Sequence, residues 1–513
     1  MRASRRAAAL AAALALAVTL ALAGCEKNNG AYCDATIACP NGGTCDLVAR
    51  QCSTSASDLP VVLPDLAGVD LAGVDLTSTC TACPPEKPLC VSGACAPCNA
   101  ATNADDACKA LDQTRAHCLS TGPDAGRCVN CTTNGDCTQP HDLICDPTAH
   151  ACRGCVANGE CDSLICDTVF DPVFGASIQR GDCLPPGGNN IIYVDQLNCP
   201  STVDGSKAKP YCHLATAISK VTSTLNIIHA APSSYAEDLQ VGNDTSFILV
   251  GDPGSPDTAL VGKNNEPIHI NGNGGTNVTL IGLDFPNSPS GHSSIWCDSG
   301  KVAVYQTRVA NSGYYGIDGS PNCSNVVVDQ CRIGPGNSQG GLHVGVSGSN
   351  TSFTITNNFV FRNGSASSLI GGVSLFSSTS VSPRVFVNNT IANNTTQTGY
   401  AGVACALGAP FTINQNILFS NIASATISES NCTTRYTATD DHFDAISFQS
   451  NNVDLSVTGP AFLDNANNDY HLQSGSPCKG TAGASALTNH DIDGDPRPSV
   501  GTSRFDIGAD QLP

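Results

Sequence analysis

The chain is poor in positive charge, in aromatic residues and in long apolar runs. Lys and Arg number 24 against 44 Asp and Glu, for a formal net charge of −20. Phosphate backbones are gripped by clustered Lys and Arg. Both halves of the chain are acidic and neither carries a basic stripe, so nucleic acid is excluded as a partner. Aromatic residues make up 5% of the 513, and there is one Trp, Trp296. Beyond the first 25 residues no segment is apolar enough to span a bilayer, which takes roughly 17–25 residues. No nucleophilic Ser/His/Asp motif, phosphate-binding glycine loop or His-rich zinc motif is present. Low charge with many Gly, Asn, Ser and Thr suits a β-rich exported protein, and the length allows two to four domains.

Cysteine is abundant, and Cys25 sorts the other 28 of the 29. Arg2, Arg5 and Arg6 precede an apolar run from Ala7 to Ala23 that closes on Leu22-Ala23-Gly24-Cys25. A charged start, an apolar stretch and small residues form a secretory signal. The ending resembles the bacterial lipobox, which implies a signal peptide over 1–24, lipidation of Cys25 and attachment to a membrane through a lipid anchor. The run is also long enough for an uncleaved transmembrane anchor, but small residues converging on a cysteine favour the lipoprotein. Glu26 stands where inner-membrane retention would want Asp, so an exported location on the outer membrane or cell surface is expected. The remaining 28 cysteines allow up to 14 disulfides.

Five groups of four cysteines fill residues 33–183, beginning with Cys33, Cys39, Cys45 and Cys52. Later groups join at a three-residue step, from Cys95 to Cys98, Cys128 to Cys131 and Cys152 to Cys155, which marks tandem modules. Modules this small bury too little core to fold unaided and rely on disulfides. The first group, with Cys131, Cys137, Cys145 and Cys152 of the fourth and Cys199 and Cys212 further on, supplies disulfide candidates. Cys-x-x-Cys steps also occur in zinc sites, but export favours disulfides. Cys39-Pro40-Asn41-Gly42-Gly43-Thr44-Cys45 resembles part of an EGF-like module, and the later groups resemble Dickkopf-type repeats. The expected order is an EGF-like module over 25–52, a flexible linker over 53–79 with a repeated Asp-Leu-Ala-Gly-Val, and tandem modules over 80–183. They read as a stalk or as binding modules whose protein partner is unidentified.

From about residue 190 a six-residue β-rich phrase recurs. Its fourth position falls at Leu283, Thr307, Cys331, Asn358, Asn389 and Asn416, at intervals of 24, 24, 27, 31 and 27 residues. First and sixth residues are apolar in every phrase. One coil of a parallel β-solenoid explains this spacing, with loops absorbing the length differences. The Asn residues at one corner resemble the asparagine ladders of pectin-lyase-like right-handed β-helices. The resemblance covers residues 190–513, with a helical cap near Leu214–Val221. At the end, Asp469-Tyr470-His471-Leu472, Asp491-Ile492-Asp493-Gly494-Asp495-Pro496-Arg497 and Asp506-Ile507-Gly508-Ala509-Asp510 resemble the closing motif of choice-of-anchor surface proteins. The predicted fold is all-β: small disulfide-rich modules followed by a right-handed parallel β-helix of roughly ten coils.

Strand alternation aligns Ile295, Ile317, Leu342, Val373 and Val403 inward, which stacks Trp296, Asp318 and His343 outward on successive coils. A flat Trp face suits a sugar ring, an Asp–His pair can bind hydroxyls or move protons, and Tyr314 and Tyr315 offer a wall. Arg308 and Arg332 align on another stripe, read as solvated. Asp491, Asp493 and Asp495 have calcium-loop spacing without the bidentate Glu, so a structural calcium is the one cofactor under consideration, against a hydrogen-bonded terminal cap. No catalytic set is identified. The expected function is surface display of a β-helix for non-catalytic glycan binding or adhesion. The alternatives are a polysaccharide lyase or glycoside hydrolase, and a structural spacer. Replacing Cys25 (Cys25→Ser) is expected to move the chain from the membrane to the soluble fraction of its host; unchanged partitioning would rule out lipid anchoring at Cys25.

Overall fold

The computed structural model describes residues 83–512 except 92–93, 140, 186–189, 243, 253–257, 348, 379–380, 398, 406–410, 424–431, 441–446, 449–450, 484–486 and 498–503, together with strand residues 44–46 and 51–53. The leader with Cys25, the cysteines Cys33 and Cys39 and nearly all of the 53–79 linker lie outside the described residues. The chain divides into two compact units, Met1–Ser78 and Thr79–Pro513. In the first, strands Thr44–Asp46 and Gln51–Ser53 form an antiparallel hairpin that sets Cys45 opposite Cys52.

In the second unit the cysteine groups share one connectivity. Cys98–Cys118 and Cys108–Cys128, Cys131–Cys145 and Cys137–Cys152, and Cys155–Cys166 and Cys161–Cys183 each join first to third and second to fourth. Their sulfurs are therefore covalently committed to one another. Among the described residues two cysteines do not pair: Cys331 and Cys478 are buried free thiols. The count of 14 bridges is therefore too high, because these two sulfurs fill core positions as small apolar groups.

The carboxy-terminal region is a right-handed β-solenoid. One coil consists of strands Ile268–Asn271, Asn277–Ile281 and Asp284–Phe285. Each pairs in parallel with its counterpart on the next coil. The sheet built from third strands has ten members. Among the described residues seven coils, from Leu239 to Phe419, carry all three strands. Ile295, Ile317, Leu342, Val373 and Val403 stack in register and are fully buried. Inside the solenoid Cys297–Cys323 and Cys405–Cys432 tie neighbouring coils.

A corner repeats between second and third strands. Gly282, Gln306, Gln330, Asn357, Asn388 and Gln415 all adopt φ between +50° and +64°, a left-handed conformation that turns the chain sharply. The residue after each is the phrase's fourth position. There Asn358 Nδ2 donates to Asn389 Oδ1 at 2.9 Å, and Asn389 Nδ2 to Asn416 Oδ1 at 3.1 Å. A second ladder, Asn337–Asn363–Asn394–Asn421, runs along the next corner with amide contacts of 2.8, 3.0 and 3.0 Å. At the open end of the first coils, helix Leu214–Ile218 covers the core. Glu237 accepts the Leu214 and Ala215 N–H groups, both at 2.9 Å, satisfying two donors at the start of that helix.

The last cysteine group is not a stalk standing apart from the β-helix. Ile165, Val169 and Leu184 are buried against Ile227, Val250, Ile281 and Tyr305, which point outward from second strands of successive coils. Those outward apolar residues need cover, and the module supplies it. Polar contacts fix the fit: Asn158 Nδ2 donates to Gly251 O at 2.7 Å, and Tyr305 OH to Asp171 Oδ2 at 2.8 Å.

The carboxy-terminal tail covers the adjoining outer face, with Ile492, Ile507 and Ala509 packed on Phe359, Ile417 and Ala438. Arg497, 5% exposed, knits this tail. It donates to His490 O, Asp506 O and Gly508 O at 3.0, 3.1 and 2.8 Å. Substitution of Asn389 by Leu is expected to cost about 2–4 kcal/mol in urea unfolding, because it strands buried amide partners above and below it. A loss under about 0.5 kcal/mol would show that the ladder is incidental.

Candidate functional site

The register brings Trp296, Asp318 and His343 together, each paired with the next across adjacent coils. The row is longer than the sequence reading: His269 pairs with Trp296 on one side and Ser374 with His343 on the other. His269 stacks on the indole at 4.0 Å and 8°. One face of Trp296 is thus closed, and the expectation of a bare indole platform is corrected to a half-buried ring. Its Nε1 donates to Ser320 O at 3.0 Å, which fixes its orientation.

Asp318 and His343 bond to each other, with Nδ1 2.9 Å from Oδ1. The same carboxylate oxygen accepts Ser320 Oγ at 2.6 Å. Only 9% of the Asp318 side chain and 15% of the His343 side chain are exposed. The pair is therefore largely buried and bonded to itself. Tyr315 stacks on His343 at 4.6 Å and 16°, and Tyr314 meets Tyr315 edge-on at 4.6 Å. Phe376 meets His343 at 6.2 Å. Burial pushes the Tyr315 hydroxyl well above the usual phenol range and lowers the His269 imidazole. Tyr314, 39% exposed, is the open end of the strip.

A second surface was not foreseen as a site. A cleft of ≈ 890 Å³ opens between the last cysteine-rich module, the left-handed corner and the tail. Arg308 and Arg332, read from sequence as a solvated stripe, form one wall on neighbouring coils. Arg180 comes from the module and Asp493 from the tail. Arg308 Nε lies 3.0 Å from Asp284 Oδ1. Burial raises the Asp284 pKa, and the Arg308 charge opposes it. Burial also lowers the Arg180 pKa, against the pull of Asp495 and Asp167. Nothing in the sequence tells which cysteine group packs where, so Arg180 carried no signal of its role.

Asp491, Asp493 and Asp495 do not converge on a calcium site. Asp491 Oδ1 accepts the N–H groups of Asp493 and Asp495 at 3.0 and 2.8 Å, and its Oδ2 that of Gln511 at 3.1 Å. Asp493 turns away to His471, whose Nε2 is 2.7 Å from Oδ2. Asp491 is filled by backbone donors. His471, Asp493 and Asp510 are instead the described non-cysteine group that brings three ligand-type atoms within 4.8 Å.

Residues 266–443 match the family described as right handed beta helix region. No curated protein matches the chain. Among solved structures, the crystal structure of pectate lyase Pel9A is similar over 63% of this chain and 96% of its own length, at 15% identity and a TM-score of 0.32.

Asp167 lies on the cleft and is 1% exposed. Burial first, then nearby Asp182, raises its pKa from 3.8 to about 6, against a hydrogen bond from Val169 N. The folded state therefore holds the proton more tightly than the unfolded chain between these values. Ionised Asp167 costs stability above pH 6, and the cost vanishes below the unfolded value. The substitution Asp167→Asn is expected to raise stability by about 2 kcal/mol at pH 8 and to leave it unchanged near pH 4. Equal effects at both pH values would contradict a buried, unfavourably ionised carboxylate.

Proposed function

We propose that the chain is an exported, surface-displayed β-helix that binds glycans without cleaving them, along the strip from His269 to Phe376. The observation that carries this reading is the concentration of rings there. His269 and Trp296 form one run of ring contacts, and Tyr314, Tyr315, His343 and Phe376 a second, along one face. A chain with 5% aromatic residues has placed its one indole and two adjacent phenols on this strip. Aromatic rings combine apolar faces with polar edges and carry a large share of binding energy in such surfaces.

The Asp318–His343 pair supports binding over catalysis. A general acid or base must reach the proton it transfers, and these two groups are engaged with each other and with Ser320. In this reading their hydrogen bond stiffens the strip on which a sugar rests. Surface display by a lipid anchor at Cys25 would hold the strip outside the cell.

The test is retention of the mature full-length chain on a panel of neutral polysaccharides, with release of reducing ends followed in parallel. Tyr314→Ala, at an exposed position, is expected to weaken retention roughly ten-fold, and Trp296→Ala by more. Undiminished retention by both folded variants would remove the strip from consideration. Growth of reducing ends on any glycan would make the protein a polysaccharide-cleaving enzyme instead.

A further inference from the structure

We infer that the cleft between the last cysteine-rich module and the β-helix is a separate binding site for a tetrahedral oxyanion, a sulfate ester or phosphate monoester borne on a sugar. Three guanidinium groups from separate segments, Arg180, Arg308 and Arg332, line it. Arg308 and Arg332 occupy paired positions on adjacent strands, about 4.8 Å apart along the stack, while Arg180 reaches the cleft from the module.

Each guanidinium is steadied at one edge or face. Arg180 lies over the Phe170 ring at 4.2 Å, and its Nε donates to Thr168 O at 3.4 Å. Arg308 is held through Nε by Asp284 at 3.0 Å, with 52% of its side chain exposed. Arg332 lies over Phe359 at 5.2 Å, with Nη2 3.5 Å from Asp493. Arg180 also borders the tail turn at Gly494, where an added Cβ would come within 2.5 Å of its Nη2. Such holding lowers the ordering cost of binding and leaves terminal N–H groups for a ligand.

The arrangement selects the ligand's shape. A planar carboxylate is satisfied in its own plane by a single Arg fork. Donors arriving from two walls match an anion whose three terminal oxygens diverge. Four carboxylates share the cleft: Asp284 and Asp493 are engaged with Arg308 and with His471 and Arg332, Asp167 is buried with its pKa raised to about 6, and Asp252 is partly buried. A fourth arginine, Arg153, is committed elsewhere, forked onto Glu160 at 2.7 and 3.1 Å. The cleft is distinct from the aromatic strip; only the sugar that bears the ester rests on the glycan-binding reading.

The experiment is affinity electrophoresis and calorimetry of the mature full-length chain. The probes are inorganic sulfate and matched glycans bearing sulfate, phosphate, carboxylate or no charged group. Binding to the ester glycans is expected to exceed that to the carboxylated one, and to fall as salt is raised. Arg180→Gln and Arg332→Gln are each expected to weaken it ten-fold or more while melting temperature is kept, and Tyr314→Ala is expected to leave it unchanged. Asp167 on the same cleft takes up a proton near pH 6, so the ester is identified at constant pH 7, by which of the matched sulfate and phosphate glycans binds more tightly. The inference is overturned if no ester glycan binds, if the carboxylated glycan binds as well, or if Arg180→Gln behaves as the wild type. Retention of neutral glycans would then still stand or fall with the aromatic strip alone.

Discussion

Everything in the solenoid depends on a sharp corner that each coil makes at one residue. A left-handed backbone is unfavourable for residues other than glycine, by roughly 1–3 kcal/mol each, yet five of the six residues from position 282 to 415 are Gln or Asn. The corner persists because the following residue is tied to the next coil: Cys331 N donates to Asn358 Oδ1 at 2.8 Å, and Asn389 N to Asn416 Oδ1 at 2.9 Å. The side chains of the corner residues then serve the outside. Gln306 Nε2 donates to Thr168 O at 2.9 Å, and Gln330 Nε2 to Asp491 O at 3.0 Å. The turn that closes a coil is thus also where the module and the tail attach.

Much of this was legible in the sequence because it is periodic. The phrase from Leu283 to Asn416 marks the corner, and alternation from Ile295 to Val403 sets the register, since a one-residue slip would turn every apolar side chain outward. The second ladder was readable too: Asn363, Asn394 and Asn421 each stand five residues after the first ladder's Asn. What could not be read is aperiodic. The docking of residues 155–183 depends on the outward residues Ile227, Val250, Ile281 and Tyr305, whose apolar character reads as an exposed stripe until something covers it. The half-burial of Trp296 follows from His269, one coil earlier, and the aligned phrases do not extend back to that strand.

Charge is distributed with the same economy. In a chain with nearly twice as many acids as bases, arginines are placed where neighbours fix them. Arg497 is fully committed to backbone carbonyls and holds the tail together. Burial lowers its pKa to about 10, with Asp491, Asp510 and Asp506 opposing, so it stays charged in neutral solution. Arg180, Arg308 and Arg332 are only half committed and face solvent. The contrast separates a cation used as mortar from cations left with donors to spare.

The tail's position has a further meaning. Phe170 of the module stacks on His490 at 3.7 Å and 3°, and His490 Nε2 lies 2.8 Å from Asp329 Oδ2 of the solenoid. Residues from three distant stretches of the sequence therefore share one contact. A chain cut short before His490 would leave Phe170, Phe359 and Ile417 uncovered, and one wall of the cleft unbuilt. The tail is thus cover for an apolar flank that the solenoid and the module cannot hide by themselves.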